Sequence, residues 1–153
     1  MKNNFFYKKQ YSNIYKTTSR FSEVTSQIIY GEKFKILSKK KDWIKIKSLF
    51  DNYVGYIKNE NYIKNFKPTH KVYTLKAIIY SKPDNITKTF LPFASKFSII
   101  NENKNFIQFD KNKWLKKKDI KKIDHIVKNF LKILRLFLKT KYVWGGKTFN
   151  GIE

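Results

Sequence analysis

Cysteine is missing from all 153 residues, and the 11 acidic residues are outnumbered by 34 basic ones. Without cysteine these residues hold no disulfide, no thiolate metal ligand and no thiol nucleophile. His70 and His125 are the only histidines, too few for a zinc site without cysteine partners, so neither a metal nor a cofactor is expected. Arginine is almost absent as well, with only Arg20 and Arg135, so the planar fork that grips bases and phosphates bidentately is scarce. No apolar run approaches the roughly 18 residues of a membrane-spanning helix. The basic start, Met1 to Lys9, is not followed by the apolar run of about 7–15 residues that a secretory leader needs.

What is abundant is lysine and aromatic surface. The formal net charge is +23, and hydrophobic residues make up 41% of the chain and aromatic ones 18%, enough for a packed core. Strong basicity raises nucleic acid or anionic membrane as a partner. Lysine, asparagine, isoleucine, phenylalanine and tyrosine are enriched together, however, and share A/T-rich codons. The charge therefore reads as compositional drift that still produces a real positive field, and no specific nucleic-acid partner is expected.

The middle of the chain repeats itself. Gly31–Leu37 matches Ala94–Ile100 in pattern, Asp42–Ile46 matches Asn105–Phe109, Gly55–Lys58 matches Lys113–Lys116, and Ile14–Lys16 matches Ile79–Ser81. A period of about 60 residues suits a duplicated small domain rather than a solenoid. Within each copy, Phe34, Ile36, Ile44 and Ile46 alternate with lysines at the period of half-buried strands. Turn signals at Tyr30-Gly31, Lys41-Asp42, Asp51-Asn52 and Ser81 to Asn85 separate the strands. The pattern predicts two small β-barrels, residues 1–66 and 67–119, with a connector over 63–71 and with Trp43 and Trp114 in the cores. After Asp119 the period lengthens. Ile123, Ile126, Val127, Phe130, Leu131, Leu134, Phe137 and Leu138 recur at three- and four-residue spacing. This predicts an amphipathic helix of about 15 residues over 124–138, capped by Asp119 or Asp124. Gly145-Gly146 then demands a turn.

The last residues, Tyr142-Val143-Trp144-Gly145-Gly146 through Gly151-Ile152-Glu153, resemble the lead-in to the catalytic cysteine of NlpC-type cell-wall cysteine peptidases. In that family a Y-x-W-G-G run precedes G-I-D and then Cys-Ser-Gly. Here Glu153 stands in for the aspartate, and the nucleophile would follow it. The two barrels resemble the bacterial SH3-like domains that precede the peptidase in a branch similar to dipeptidyl-peptidase VI. Ser22–Gln27, Gly31-Glu32, Asp42-Trp43 and Asp51–Tyr56 carry that likeness in the first copy; Tyr80–Pro83 and Leu91–Phe93 carry it in the second.

The resemblance implies a mainly β chain: two SH3-like barrels, then an amphipathic helix that begins an α+β papain-like peptidase domain over 120–153. It implies a bacterial, cytoplasmic protein acting on murein peptides such as L-Ala-γ-D-Glu-diamino acid, expected as a monomer. Tyr142 matches the accessory tyrosine beside the nucleophile, and Trp144 an aromatic wall of the cleft. Glu23 with Tyr53 or Tyr56 occupies the positions that grip the substrate's free amine. Neither His70 nor His125 matches the family's base, so the chain as given is expected to be inactive. Two alternatives remain: a module that binds cell-wall peptides without cutting them, and a lysine-rich polyanion binder.

Overall fold

The computed structural model describes residues 4–153, so residues 1–3 of the basic N-terminal run lie outside the described residues. The first strands are β1 (Asn4–Tyr7), β2 (Tyr11–Tyr15), β3 (Val24–Ile29), β4 (Lys33–Lys40), β5 (Trp43–Ser48), β6 (Val54–Lys58) and β7 (Tyr62–Lys64). There follow β8 (His70–Val72), β9 (Lys76–Lys82), β10 (Asn85–Pro92), β11 (Lys96–Phe97), β12 (Asn101–Glu102), β13 (Phe106–Asp110), β14 (Lys113–Lys116) and β15 (Ile120–Lys122). Helix α1 (Phe130–Leu136) and the short strands β16 (Lys147–Thr148) and β17 (Gly151–Ile152) complete the chain. The protein is mainly β, with SH3-like sheets. It divides into two compact units: Met1–Phe66 with Lys141–Glu153, and Lys67–Thr140.

In the first unit seven strands form one sheet in the order β3-β2-β6-β5-β4-β1-β7. Alternation buries Ile44 and Ile46 of β5 while Lys45 and Lys47 stay partly exposed. These isoleucines join Phe5, Tyr7, Ile14, Ile28, Phe34 and Ile57 in the core. Phe5, Phe34 and Tyr62 meet edge-on or stacked, with ring centroids 5.2–5.9 Å apart. The turn signals lie where the backbone turns left-handed, at Lys41 (φ 51°) and Asn52 (φ 63°).

The second unit has a five-stranded sheet, β10-β9-β14-β13-β12, and a three-stranded one, β11-β8-β15. The internal repeat is structural as well as textual. In the first unit Trp43 of β5 stands opposite Lys58 of β6, Lys45 opposite Tyr56, and Tyr56 opposite Tyr15 of β2. In the second, Phe106 of β13 stands opposite Lys116 of β14, Gln108 opposite Trp114, and Trp114 opposite Tyr80 of β9. Even the edge-on ring pairs recur, Tyr15–Trp43 at 5.8 Å and Tyr80–Phe106 at 5.0 Å. So does a threonine tie to the strand before it: Thr25 Oγ1 donates to the Ile14 carbonyl, as Thr87 Oγ1 does to that of Ile79.

Three expectations are corrected. Neither unit is a closed barrel: in the first the end strands β3 and β7 do not pair, and in the second the strands divide into two separate sheets. Bulges in β3 at Thr25 and in β4 at Leu37 interrupt the register of the first unit's sheet, and the segment around Gly145 packs against β3 instead of another strand. Trp114 is only half-buried, whereas Trp43 is 8% exposed and belongs to the core. The helix covers seven residues, not about 15. Its N-cap is Asn129, whose side chain accepts from the Leu131 N–H at 3.1 Å, and not Asp119 or Asp124. Ile120–Lys122 extend to pair with β8, and the Ile123 N–H donates to the Thr69 carbonyl. Just beyond, the His125 N–H turns back to the Lys122 carbonyl and the His125 carbonyl accepts from Lys71 Nζ at 3.0 Å, so the helix starts only after Asn129. Among the described residues no helix is long and apolar enough to cross a membrane.

Trp43 fills its core against Tyr15, so Trp43→Ala is expected to cost about 3–5 kcal/mol. The exposed Leu134→Ala should change stability by less than about 0.5 kcal/mol. Urea unfolding followed by circular dichroism checks both.

Candidate substrate-recognition site

The motif-bearing segment 141–153 folds back onto the first unit and makes a small antiparallel ladder with itself. Lys147 pairs with Ile152 and Thr148 with Gly151. Gly145 has φ +68°, and a Cβ there would lie 2.9 Å from the Ser26 Cα, so no side chain fits between the turn and β3. Glu153 closes the turn: its carboxylate accepts from the Gly145 N–H at 2.7 Å, and its own N–H donates to the Gly146 carbonyl at 3.1 Å.

Lys147 anchors the segment. Its backbone N–H donates to Gln27 Oε1 at 2.8 Å. Its ammonium lies 2.5 Å from Asp51 Oδ2 and 3.5 Å from Glu32 Oε1. The Lys147, Asp51 and Glu32 side chains are 18%, 16% and 7% exposed, so this is an ion cluster in the protein interior. Ser26 Oγ also donates to Asp51 Oδ2, and the Ile29 N–H donates to Glu32 Oε2. The two carboxyls diverge because one ammonium serves both unequally. Burial raises Asp51's pKa, but hydrogen bonds from Lys147 and Ser48 outweigh it and leave the carboxyl below its ordinary value. Burial dominates at Glu32 and holds it above its ordinary value although Lys147 pulls it down.

The residues marked out by sequence are distributed around this anchor. Tyr142 is 66% exposed and Trp144 58%, so neither is core packing. Trp144 directly precedes the glycine that rests on Thr25 and Ser26. Glu23 sits just before β3, and its carboxylate pairs with Lys16 Nζ at 2.8 Å in an exposed contact. Tyr15 lies opposite both Val24 of β3 and Tyr56 of β6, which brings Glu23 and Tyr56 to the same strip of sheet. Tyr53 lies before β6 and is 41% exposed, and its N–H donates to Asp51 Oδ1 at 3.3 Å. Aligned through the paired threonines Thr25 and Thr87, the residue in place of Glu23 in the second unit is Asn85, which cannot supply a charge. The histidines lie in the second unit. His70 stacks on Phe97 and is held below its ordinary pKa, chiefly by burial. His125 meets Tyr73 edge-on. Among the described residues no group of three or more acidic or histidine side chains could hold a metal ion.

Residues 14–61 match the family model of the bacterial dipeptidyl-peptidase SH3 domain. Over those residues the first unit is similar to that bacterial SH3 domain, and its sheet is SH3-like. The chain is also similar to the crystal structure of an NlpC/P60 family protein from Bacillus cereus ATCC 10987, at 14% identity and a TM-score of 0.78. That match covers 98% of this chain and 68% of that one, and at this identity it speaks to the fold. NlpC2 from Trichomonas vaginalis matches at 18% identity over 94% of this chain and 58% of that one. Its TM-score of 0.35 is too low to carry an argument. No curated protein matches the sequence. Sequence reasoning did not single out Gln27, Glu32 and Asp51 of the SH3-like sheet, nor Lys147, which they hold. Their signal lay in plain view: Gln27, Glu32 and Asp51 belong to the stretches that carry the SH3 likeness.

The ion cluster has a definite pH signature. Asp51, with its lowered pKa, contributes stability that is present above the ordinary 3.8 and is lost as pH falls through the folded value. Glu32, with its raised pKa, does the reverse, contributing most below 4.5 and losing it as pH rises through the folded value. Lys147→Met strands both carboxylates and is expected to cost about 3 kcal/mol at neutral pH. Part of that loss should be recovered toward about pH 5, as Glu32 takes up a proton. Urea titrations of both proteins at the two pH values test this. An equal gap at both would show that Glu32 does not feel Lys147.

Proposed function

We propose that this chain is the recognition part of an NlpC-type murein-peptide peptidase. In this reading the SH3-like domain and the docked segment 141–153 together shape the subsite for the peptide's amino end. The observation that carries it is the anchoring of the Y-x-W-G-G segment on the SH3-like domain through Lys147, which leaves Tyr142 and Trp144 exposed. The fold shared with an NlpC/P60 protein supports it. The substrate class is a peptide such as L-Ala-γ-D-Glu-diamino acid, cleaved between glutamate and the diamino acid, in the bacterial cytoplasm.

Glu23 is the acceptor for the free α-ammonium in this proposal. A carboxylate suits that group, because a charge-assisted hydrogen bond is strong and a blocked amine cannot make it. Lys16 now holds the carboxylate, so a bound peptide displaces one ammonium with another. Tyr56, or Tyr53 on the Asp51 side, supplies a second polar contact. The chemistry at the scissile amide needs a thiolate and a base, and these 153 residues contain no cysteine. What they themselves perform is binding, which keeps the reading of a non-cleaving peptide-binding module in play.

Isothermal titration with L-Ala-γ-D-Glu-diaminopimelate tests the assignment. Glu23→Gln is expected to weaken binding about tenfold, and Lys16→Met to strengthen it. The N-acetylated peptide should bind no better to the natural chain than the free peptide does to Glu23→Gln. Equal affinity for free and acetylated peptides would remove Glu23 from the subsite. The peptide should be recovered uncut, and turnover by this chain would overturn the assignment of a purely binding role to these residues.

A further inference from the structure

The second unit contains a cleft that the peptide-binding reading does not use. It measures about 310 Å³ and is lined by Lys104, Asn105, Phe106, Lys116, Lys117 and Lys118, with Asp84 at its side. That volume lies at the lower end of small-molecule pockets, about 300–1,000 Å³. Its walls are fixed. Asn103 Oδ1 accepts from the Asn105 and Phe106 N–H groups at 3.0 and 2.8 Å, and the Lys117 N–H donates to the Asn105 carbonyl at 2.9 Å. Lys116 is held with its ammonium 5.4 Å from the Tyr80 ring centre and 6.0 Å from that of Phe106.

The charges around the cleft are unevenly satisfied. Lys117 is paired with Glu102 at 2.5 Å. Among the described residues Lys104, Lys116 and Lys118 make no ion pair, and the Asn105 side-chain amide makes no hydrogen bond. Three such lysines against Asp84 leave two positive charges in excess. Asp119, next along the chain, is half-buried; burial pushes its pKa up and Lys118 and Lys116 pull it down, so it offsets part of their charge from behind the cleft wall without an ion pair to either.

We propose that this cleft binds the phosphate groups of a small molecule. Lysine ammoniums are compact point charges that suit a tetrahedral oxyanion, whereas planar carboxylates are matched best by arginine, and neither Arg20 nor Arg135 lines the cleft. Phe106 and the Asn105 amide leave room for an organic part beside the phosphates. The site is independent of the peptide subsite assigned to the first unit.

Inorganic pyrophosphate is the probe. In two-dimensional amide spectra of the natural chain at about 50 mM salt, the largest shifts are expected at Asn105, Phe106 and Lys117. Lys104→Gln with Lys118→Gln should weaken binding about tenfold, while Lys39→Gln with Lys40→Gln, an equal loss of charge on exposed β4, should change it less than twofold. Both double variants alter exposed side chains and should keep the natural circular dichroism. Glucose 1-phosphate and ADP as further arms separate a ligand read by phosphate alone from one whose organic part also fills the cleft, and either result supports the site. Equal losses in the two double variants, shifts centred elsewhere, or citrate bound as tightly as pyrophosphate would overturn it.

Discussion

The insertion of one ammonium between a buried carboxylate and a half-buried one is the constraint on which the first unit depends. Glu32 and Asp51 belong to the SH3-like sheet and its turns, yet their counter-ion arrives from residue 147, 115 positions along the chain from Glu32. Unpaired, such carboxylates are costly to bury; paired, they fix one arrangement of the segment and reject others. The same contact explains why Gly145 must be glycine, since Lys147 and Gln27 hold the turn so close to β3 that the chain has no space for a Cβ. Trp144 and Tyr142 are then presented outward by a backbone fixed on both sides.

The duplicated domain was legible because strand alternation and the aromatic positions repeat together. Tyr15 and Tyr80, Trp43 and Phe106, Tyr56 and Trp114 were paired from the text alone, and the ladders place them at equivalent rungs. Closure was not legible, because period-two patterning fixes which face a strand buries and says nothing about which edges meet. The helix length was misread for a related reason. Ile123, Ile126 and Val127 have helical spacing, but the Ile123 N–H goes to the Thr69 carbonyl and the His125 carbonyl to Lys71 Nζ. Spacing cannot reveal that a distant strand competes for the backbone. Of the site, the exposed motif residues were visible in sequence, whereas Lys147 was one lysine among many until the fold gave it partners.

The two units also differ in the charge they carry at related places. Glu23 in the first has Asn85 at its counterpart position, so only the first offers a carboxylate there. The second has instead gathered lysines around Phe106, on strands whose equivalents in the first unit hold Trp43 beneath Lys58 at 4.4 Å. A common scaffold thus carries an acidic feature in one copy and a basic one in the other, on different parts of the sheet.

The first unit is discontinuous in sequence, since Lys67–Thr140 lies between its two parts. During synthesis the strands through β7 are complete long before Lys147 emerges. Until then the sheet must either carry Glu32 and Asp51 without their counter-ion or keep that region loose and hydrated. The final locking of the first unit therefore waits on a long-range contact made after the whole second unit has left the ribosome, the kind of closure that slows folding. A chain stalled before residue 147 would contain every strand of the main sheet and still lack the charge that lets its interior close.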